Sequence, residues 1–399
     1  MLAAIAWRNV WRNARRSIIT MTALGIGVAG LTGLYSYREV ANRVIIGDIT
    51  RGLLGHMQVH ARGYQEAPSI GALVENPLQV EAAVKGKLPG AVSERRVIGA
   101  GLAGSGERSS PVMVLGLQPG ATSLYTLVSG RDLGTGGVLI GKDLATDLKL
   151  EPGGELVMVS QAADGSVAND RFVVAGTFTS SSGEMDSNAV AMTLGDAQNF
   201  FGLGEGVHQV VVRLPVDRED VQPEVLALRG ALDLKTLEAM SWSEMLPEIK
   251  ESIDRKRKSQ GVMDFIVFLI VGLGVFNAMT MSVFERTREL GVLAALGTRP
   301  RRLMGMILLE ALWQGTIAFV LGVGLACAVL YGIGTVNLGS QFGGGDVMGV
   351  KLPSSIELGL WPESLKSAAF VAFFTSLLGA AIPAFRAMRL QPVDAVRQS

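Results

Sequence analysis

The chain has a single cysteine, Cys327, among 399 residues, so no intrachain disulfide can staple its fold. It also lacks an excess of either charge, with 36 Lys and Arg against 36 Asp and Glu. A neutral chain carries no global basic field, and nucleic acid is not expected as a partner. Charge of any sign is scarce, at 18% of residues. No Ser-His-Asp grouping can be assembled, which argues against an enzyme. What is abundant is apolar: 48% of residues are hydrophobic and the mean hydropathy is +0.35. That is too apolar for an ordinary soluble protein.

The apolar residues are concentrated. A helix needs about 20 mostly apolar residues to cross the hydrocarbon core of a membrane. Four segments qualify: 17–37, 263–284, 303–333 and 367–386. The expected fold is an α-helical four-span membrane protein with a large mixed α/β extracytoplasmic domain, 38–262, inserted between spans one and two. The first apolar run is too long for a signal-peptide core and no small-x-small site follows it, so an uncleaved anchor is expected.

Orientation follows from Lys and Arg in the short loops. Arg8, Arg12, Arg15 and Arg16 lie in segment 1–16. Arg286, Arg288, Arg299, Arg301 and Arg302 lie in loop 285–302, and Arg386, Arg389 and Arg397 lie near the C-terminus, 387–399. Loop 334–366 has only Lys351 and, at its edge, Lys366. Both termini and loop 285–302 are therefore expected in the cytoplasm. The basic run Arg255–Lys258 argues the other way, but long domains cross largely regardless of charge. Small residues crowd the spans: Gly25, Gly27, Gly30, Gly272, Gly274, Gly315, Gly322 and Gly324. They serve either packing within the chain or a dimer seam.

In the insert, apolar spacing predicts that span one continues as a helical stalk, and 243–260 forms a second stalk leading into span two. Between them, Met57–His60, Pro111–Leu115, Leu156–Val159, Phe172–Ala175 and Gln209–Arg213 read as strands, and Gly195–Phe201 as a short helix. An outer subdomain is expected at about 92–204, with a membrane-proximal one built from the flanks.

Several patterns resemble chemistry and are explained more simply. Gly136–Asp143 approaches a phosphate-binding loop, but ends in Asp where a hydroxyl should hold the metal. It reads as a strand, a turn and Asp143 capping a helix. Gly99-Ala-Gly-Leu-Ala-Gly104 matches a dinucleotide pattern, but reads as a Gly-rich loop. His56, Gln58 and His60 alternate along a strand, yet nothing nearby completes a metal site, so surface histidines are expected. Glu310 stands apart, because ionisable residues inside spans are costly. A cytoplasmic-side ion pair is expected near Arg301 and Arg302, with a functional or a structural role.

The most informative stretch is Phe284-Glu-Arg-Thr-Arg-Glu-Leu-Gly-Val-Leu-Ala-Ala-Leu-Gly297, followed by Thr-Arg-Pro-Arg-Arg-Leu303. It predicts a short amphipathic helix across the membrane face, with Leu290, Leu293, Ala294 and Leu296 as its apolar stripe. Gly297 and Pro300 stop it. Such a helix lies in the interface or docks in a partner's groove.

This stretch resembles the second-to-third loop of the MacB/FtsX/LolC-type permeases, the type VII ABC transporters. The start Trp7–Ser17, the ending Ile382–Arg397 and the one-plus-three span layout are also similar to that family. The resemblance implies two permease copies, or a paralogue pair, with two cytoplasmic ATPase subunits. Those subunits bind ATP and Mg; no cofactor is implied in this chain. It implies that Glu285, Arg286, Thr287, Arg288, Glu289, Leu290, Gly291, Leu293, Ala294, Leu296 and Gly297 form a coupling helix. Force would pass up the stalks and work the outer domain in the periplasm, from a multi-pass position in the bacterial inner membrane. Gln58–Gly63 and Ser241–Pro247 look like the lipoprotein-releasing branch. The leading expectation is therefore release of lipoproteins to a periplasmic carrier. The alternatives are MacB-like efflux of peptides, toxins or drugs, and FtsX-like regulation of an extracytoplasmic partner.

Overall fold

In a computed structural model, residues 2–12, 14–119, 124–180, 183–215, 219–336 and 359–389 are described, with short strand pairs at 346–347, 350–351 and 356–357. The elements run α1 (Leu2–Arg12), α2 (Ala14–Arg51), β1 (Met57–Ala61), α3 (Pro77–Lys87), β2 (Val92–Ser105), β3 (Arg108–Leu117), β4 (Thr126–Gly130) and β5 (Gly137–Gly141). Next come α4 (Lys142–Leu148), β6 (Glu155–Gln161), β7 (Val167–Thr179), α5 (Gly183–Asn188), β8 (Ala189–Thr193), α6 (Leu194–Phe201) and β9 (Gln209–Arg213). The chain continues through α7 (Gln222–Arg229), β10 (Leu237–Ser241), α8 (Trp242–Met245), α9 (Pro247–Glu285), α10 (Thr287–Ala295), α11 (Pro300–Ile333) and α12 (Pro362–Met388). It divides into a helical unit, 1–41 with 252–336 and 355–399, and a soluble α/β unit, 42–251 with 337–354. The ending beyond 389 and most of loop 334–366 lie outside the described residues.

Four helices are long and apolar enough to cross a membrane: Ser17–Arg51, Pro247–Glu285, Pro300–Ile333 and Ser364–Met388. Two of them exceed what a crossing needs. Helix α2 has 38 residues and α9 has 39. At 1.5 Å per residue each is roughly 57 Å long, nearly twice the hydrocarbon core. The expected stalks are therefore continuous with their spans as single helices.

Within the helical unit, small residues bring backbones together. A Cβ on Gly322 would lie 2.6 Å from the Gly25 carbonyl oxygen, and one on Gly315 would lie 2.6 Å from Ser376 Oγ. These glycines serve packing inside the chain, α11 against α2 and α12. Around Gly30, Gly272, Gly274 and Gly324 the corresponding space is open. Leu24, Val275, Met279, Ala311, Ala318 and Ala380 form one buried cluster, and Val28, Ala368 and Ala372 another. Segment 1–16, whose arginines set the expected orientation, is largely helical. Ala6 and Val10, one turn apart, are its buried side, and Trp7 meets Trp313 of α11 edge-on at 4.9 Å.

In the soluble unit, all five expected strands and the short helix are present. They build a ten-stranded sheet ordered β10-β1-β9-β2-β3-β8-β5-β7-β4, with β6 pairing β2 and β7. Most pairs are antiparallel, but β3–β8 and β5–β7 are parallel, so the sheet is mixed. Strand β2 pairs β9 along Val92–Arg96 and β3 along Arg96–Ser105. Leu115, Leu117, Leu139, Phe178 and Ala191 fill one core.

Three expectations fail here, each for a packing reason. Gly99–Gly104 lies within strand β2, not in a loop; a Cβ on Gly99 would fall 2.3 Å from the Phe201 ring. The helix after Gly136–Gly141 is capped by the Gly141 backbone, and Asp143 sits exposed in its first turn. That glycine is required because a Cβ there would meet the Asp186 carbonyl oxygen at 2.3 Å. His56 and His60 are buried, 2% and 0% exposed, because β1 is an inner strand between β9 and β10. His56 Nδ1 accepts from the Leu214 N–H, and His60 Nδ1 lies 3.0 Å from Glu238. Among the described residues no group of three or more His, Cys, Asp or Glu is placed to hold a metal.

Candidate coupling site

Helix α9 ends at Glu285, and Arg286 breaks it with φ −107° and ψ 11°. The Thr287 hydroxyl donates back to the Phe284 and Val283 carbonyls at 2.9 and 3.1 Å, easing the turn into α10. At the far end Gly297 has φ +85°, a left-handed conformation that glycine adopts at little cost. Its N–H donates to the Ala294 carbonyl at 3.0 Å and the Thr298 N–H to the Leu293 carbonyl at 3.1 Å. This double closure is a Schellman motif. Pro300 then starts α11 at its first turn, where its missing N–H costs nothing.

The nine residues of α10 present two faces. Leu290 and Gly291 are buried, and Leu290 packs with Leu303, Met306, Ile307, Ala384 and Ala387 from α11 and α12. Ala294 is half-buried. Leu293 and Leu296, expected in the same stripe as Leu290, are 37% and 78% exposed. The reason is angular. Leu290 is claimed by α11 and α12, which leaves residues three and six positions later on the free side. Glu285, Arg288, Glu289 and Val292 share that exposure. The free face is thus apolar, edged with charge.

The charges fasten the loop from two directions. Arg286 Nη1 donates to Glu310 Oε2 at 2.9 Å, with the Glu310 side chain 5% exposed. Arg12 of α1 pairs with Glu289. The expected region for the Glu310 partner, Arg301 and Arg302, is exposed. The carboxylate takes Arg286 because the helix break points that guanidinium inward along α11. Neither pair was legible in the sequence. Arg286 and Glu310 lie 24 residues apart, and Arg12 and Glu289 lie 277 apart, with no periodicity joining them.

Residues 261–392 match the family described as FtsX-like permease C-terminal, and this match contains all of α10. Residues 17–228 match the family described as MacB-like periplasmic core domain. The pyoverdine export ATP-binding/permease protein PvdT of Pseudomonas fluorescens is 25% identical over 417 residues, covering 98% of this chain and 58% of PvdT. The macrolide export ATP-binding/permease protein MacB of Nitrobacter winogradskyi is 27% identical over 290 residues, covering 68% of this chain and 40% of that protein. The chain therefore spans well under two thirds of these relatives. The crystal structure of the periplasmic region of MacB from Actinobacillus actinomycetemcomitans is similar at 14% identity and TM-score 0.36, covering 50% of this chain and 92% of that one. Two family matches, one over residues 17–228 and one over 261–392, place the chain: it belongs to the MacB/FtsX-type ABC transporter permeases.

Proposed function

We propose that this chain is the permease part of a MacB/PvdT-like exporter that works by mechanotransmission. Helix α10 seats its free face, Arg288, Val292, Leu293 and Leu296, in a cytoplasmic ATPase that binds ATP and Mg. Two permease copies, each with an ATPase, complete the machine in the bacterial inner membrane. Both termini lie in the cytoplasm, and the soluble unit lies in the periplasm. Motion at α10 passes to α2 and α9, whose length beyond the bilayer suits them to carry it to the soluble unit. Cargo is taken from the periplasm and does not cross the bilayer.

The observation that carries this reading is the division of labour on α10. One side is fixed by Leu290 and the Arg286–Glu310 pair, while the other leaves large apolar side chains uncovered. Uncovered apolar area edged with charge on a short helix supports docking in a partner's groove. Export is favoured over lipoprotein release because export is what the relatives are named for. The two segments that suggested the lipoprotein branch have local structural duties. Gln58 is buried in β1, donating to the Leu54 carbonyl. Ser241 and Glu244 cap α8 reciprocally, and Trp242 is fully buried with Nε1 donating to the Glu219 carbonyl.

The test is Arg288→Glu with Leu296→Glu in the reconstituted transporter. Both side chains are exposed, so folding is expected to be unchanged. Cargo-stimulated ATP hydrolysis should be lost. Stimulation at the unaltered level would remove α10 from the ATPase interface. Mass spectrometry of co-purified cargo separates the readings: a small molecule or peptide supports export, and an acylated lipoprotein overturns it.

A further inference from the structure

The Arg286–Glu310 pair does not sit in solid packing. A small cavity on one side is bordered by Asn9 and Arg12 of α1, Ser17 and Thr20 of α2, Ser282 of α9, and Gln314 of α11, as well as by the pair itself. The space open to the centre of a water molecule is about 10 Å3. That is the room one water needs, provided it also finds two to four polar partners. The partners are present. Gln314 is 5% exposed, and its Oε1 is buried with no hydrogen bond. Asn9 Nδ2 and Arg286 Nε are buried without one as well; Arg286 Nε lies 3.5 Å from Glu289 but makes no hydrogen bond to it.

An unpaired buried polar atom is costly, so three around one void would be a heavy penalty if the void were empty. Two are donors and one is an acceptor. Water matches this set, accepting from Asn9 and Arg286 and donating to Gln314. It keeps one O–H for a hydroxyl or carboxylate in the wall. A metal cation does not match, since the guanidinium would repel it. A second void of about the same volume also borders the pair. Its walls are Met279, Ser282, Val283, Leu290 and Ile307 together with the pair itself.

We propose that one ordered water occupies the polar cavity and that the hydrated Arg286–Glu310 pair is the pivot on which the coupling helix turns against span three. The exposed Arg12–Glu289 pair is a weak tether, with side chains 58% and 45% exposed. Arg286–Glu310 is the buried attachment, and breaking it would strand a charge. The water beside the pair gives that attachment slack without breaking it. The water and the adjoining polar groups hold the Arg286 guanidinium while α10 rotates. Gln314 and Asn9 are positioning residues, acting through Arg286.

This inference rests on α10 being the coupling helix. The experiment uses the complete transporter with its ATPase. High-resolution cryo-EM should show a water within hydrogen-bonding distance of Asn9, Arg286 and Gln314. Its absence in the wild type overturns the proposal. Gln314→Met has the same length and replaces the carbonyl acceptor with a weakly accepting thioether; Asn9→Leu removes the donor from a different helix. Each should expel the water and lower cargo moved per ATP hydrolysed by roughly 2- to 30-fold. A normal coupling ratio after the water is lost overturns the pivot. If Arg288→Glu with Leu296→Glu also leaves coupling normal, the coupling-helix reading itself has failed.

Discussion

Glu94 should be the least replaceable carboxylate of the soluble unit. It lies on β2, 7% exposed, facing Arg96 at 3.2 Å and Arg213 of β9. Arg96 is 0% exposed and also donates to the Leu53 carbonyl. Burial alone would raise the Glu94 carboxyl, but Arg96 and Arg213 outweigh it and hold it below the usual carboxylate range. Glu94→Gln keeps the shape and removes the charge. Two guanidiniums, one fully buried, are then left without their counter-charge. Removing one partner of a buried pair costs about 3–5 kcal/mol. The amide can still accept one hydrogen bond, which points to the low end, about 3 kcal/mol. For a unit of about 200 residues, that lowers the melting temperature by roughly 6–12 °C. The assay is thermal unfolding of the full chain in detergent, with hydrogen–deuterium exchange over β2 and β9 to localise the loss. The double change Glu94→Leu with Arg96→Met should cost less than Glu94→Gln alone, because it strands no buried charge from that pair. A shift under about 1 °C for Glu94→Gln, or strict additivity in the double variant, refutes the reasoning.

Acid should weaken the same unit. Burial lowers the His60 and His208 imidazoles, with Glu238 partly opposing this at His60 and the Ile70 carbonyl at His208. The unfolded chain thus binds protons more readily than the folded one. Stability is fully present above about pH 6.5 and is lost as pH falls from there through the lowered folded values. Melting in detergent at pH 7.5 and 5.5 should show the lower value at 5.5; an equal or higher one contradicts the assignment. Gly141→Ala should destabilise by about 1–3 kcal/mol, since its methyl would press on the Asp186 carbonyl. Chemical denaturation measures this, and a neutral result would mean that α5 yields easily.

The spans, the stalks, the strands and the loop helix were legible because each is a local property. A run of 20 apolar residues or a Gly-x-x-Pro stop is written in consecutive positions. The family resemblance rested on such positions too, chiefly 284–303. What was misread depended on neighbours distant in sequence. His56 and His60 alternate as surface residues would, but sheet order put β1 inside. Gly99–Gly104 has the composition of a loop, but it lies in β2, where Gly99 leaves room for the Phe201 ring. Leu290, Leu293 and Leu296 form one list in the sequence. Only the approach of α11 and α12 divides them into an anchor and a free face.

The single cysteine by itself excluded an intrachain disulfide, and the four apolar runs by themselves determined that this chain has four helices long and apolar enough to cross a membrane. Hydrophobic length and local stop signals suffice for that. Tertiary structure alone decided which arginine neutralises Glu310. A buried charge takes the partner that folding brings within about 3 Å, and here that partner is Arg286, 24 residues back along the chain.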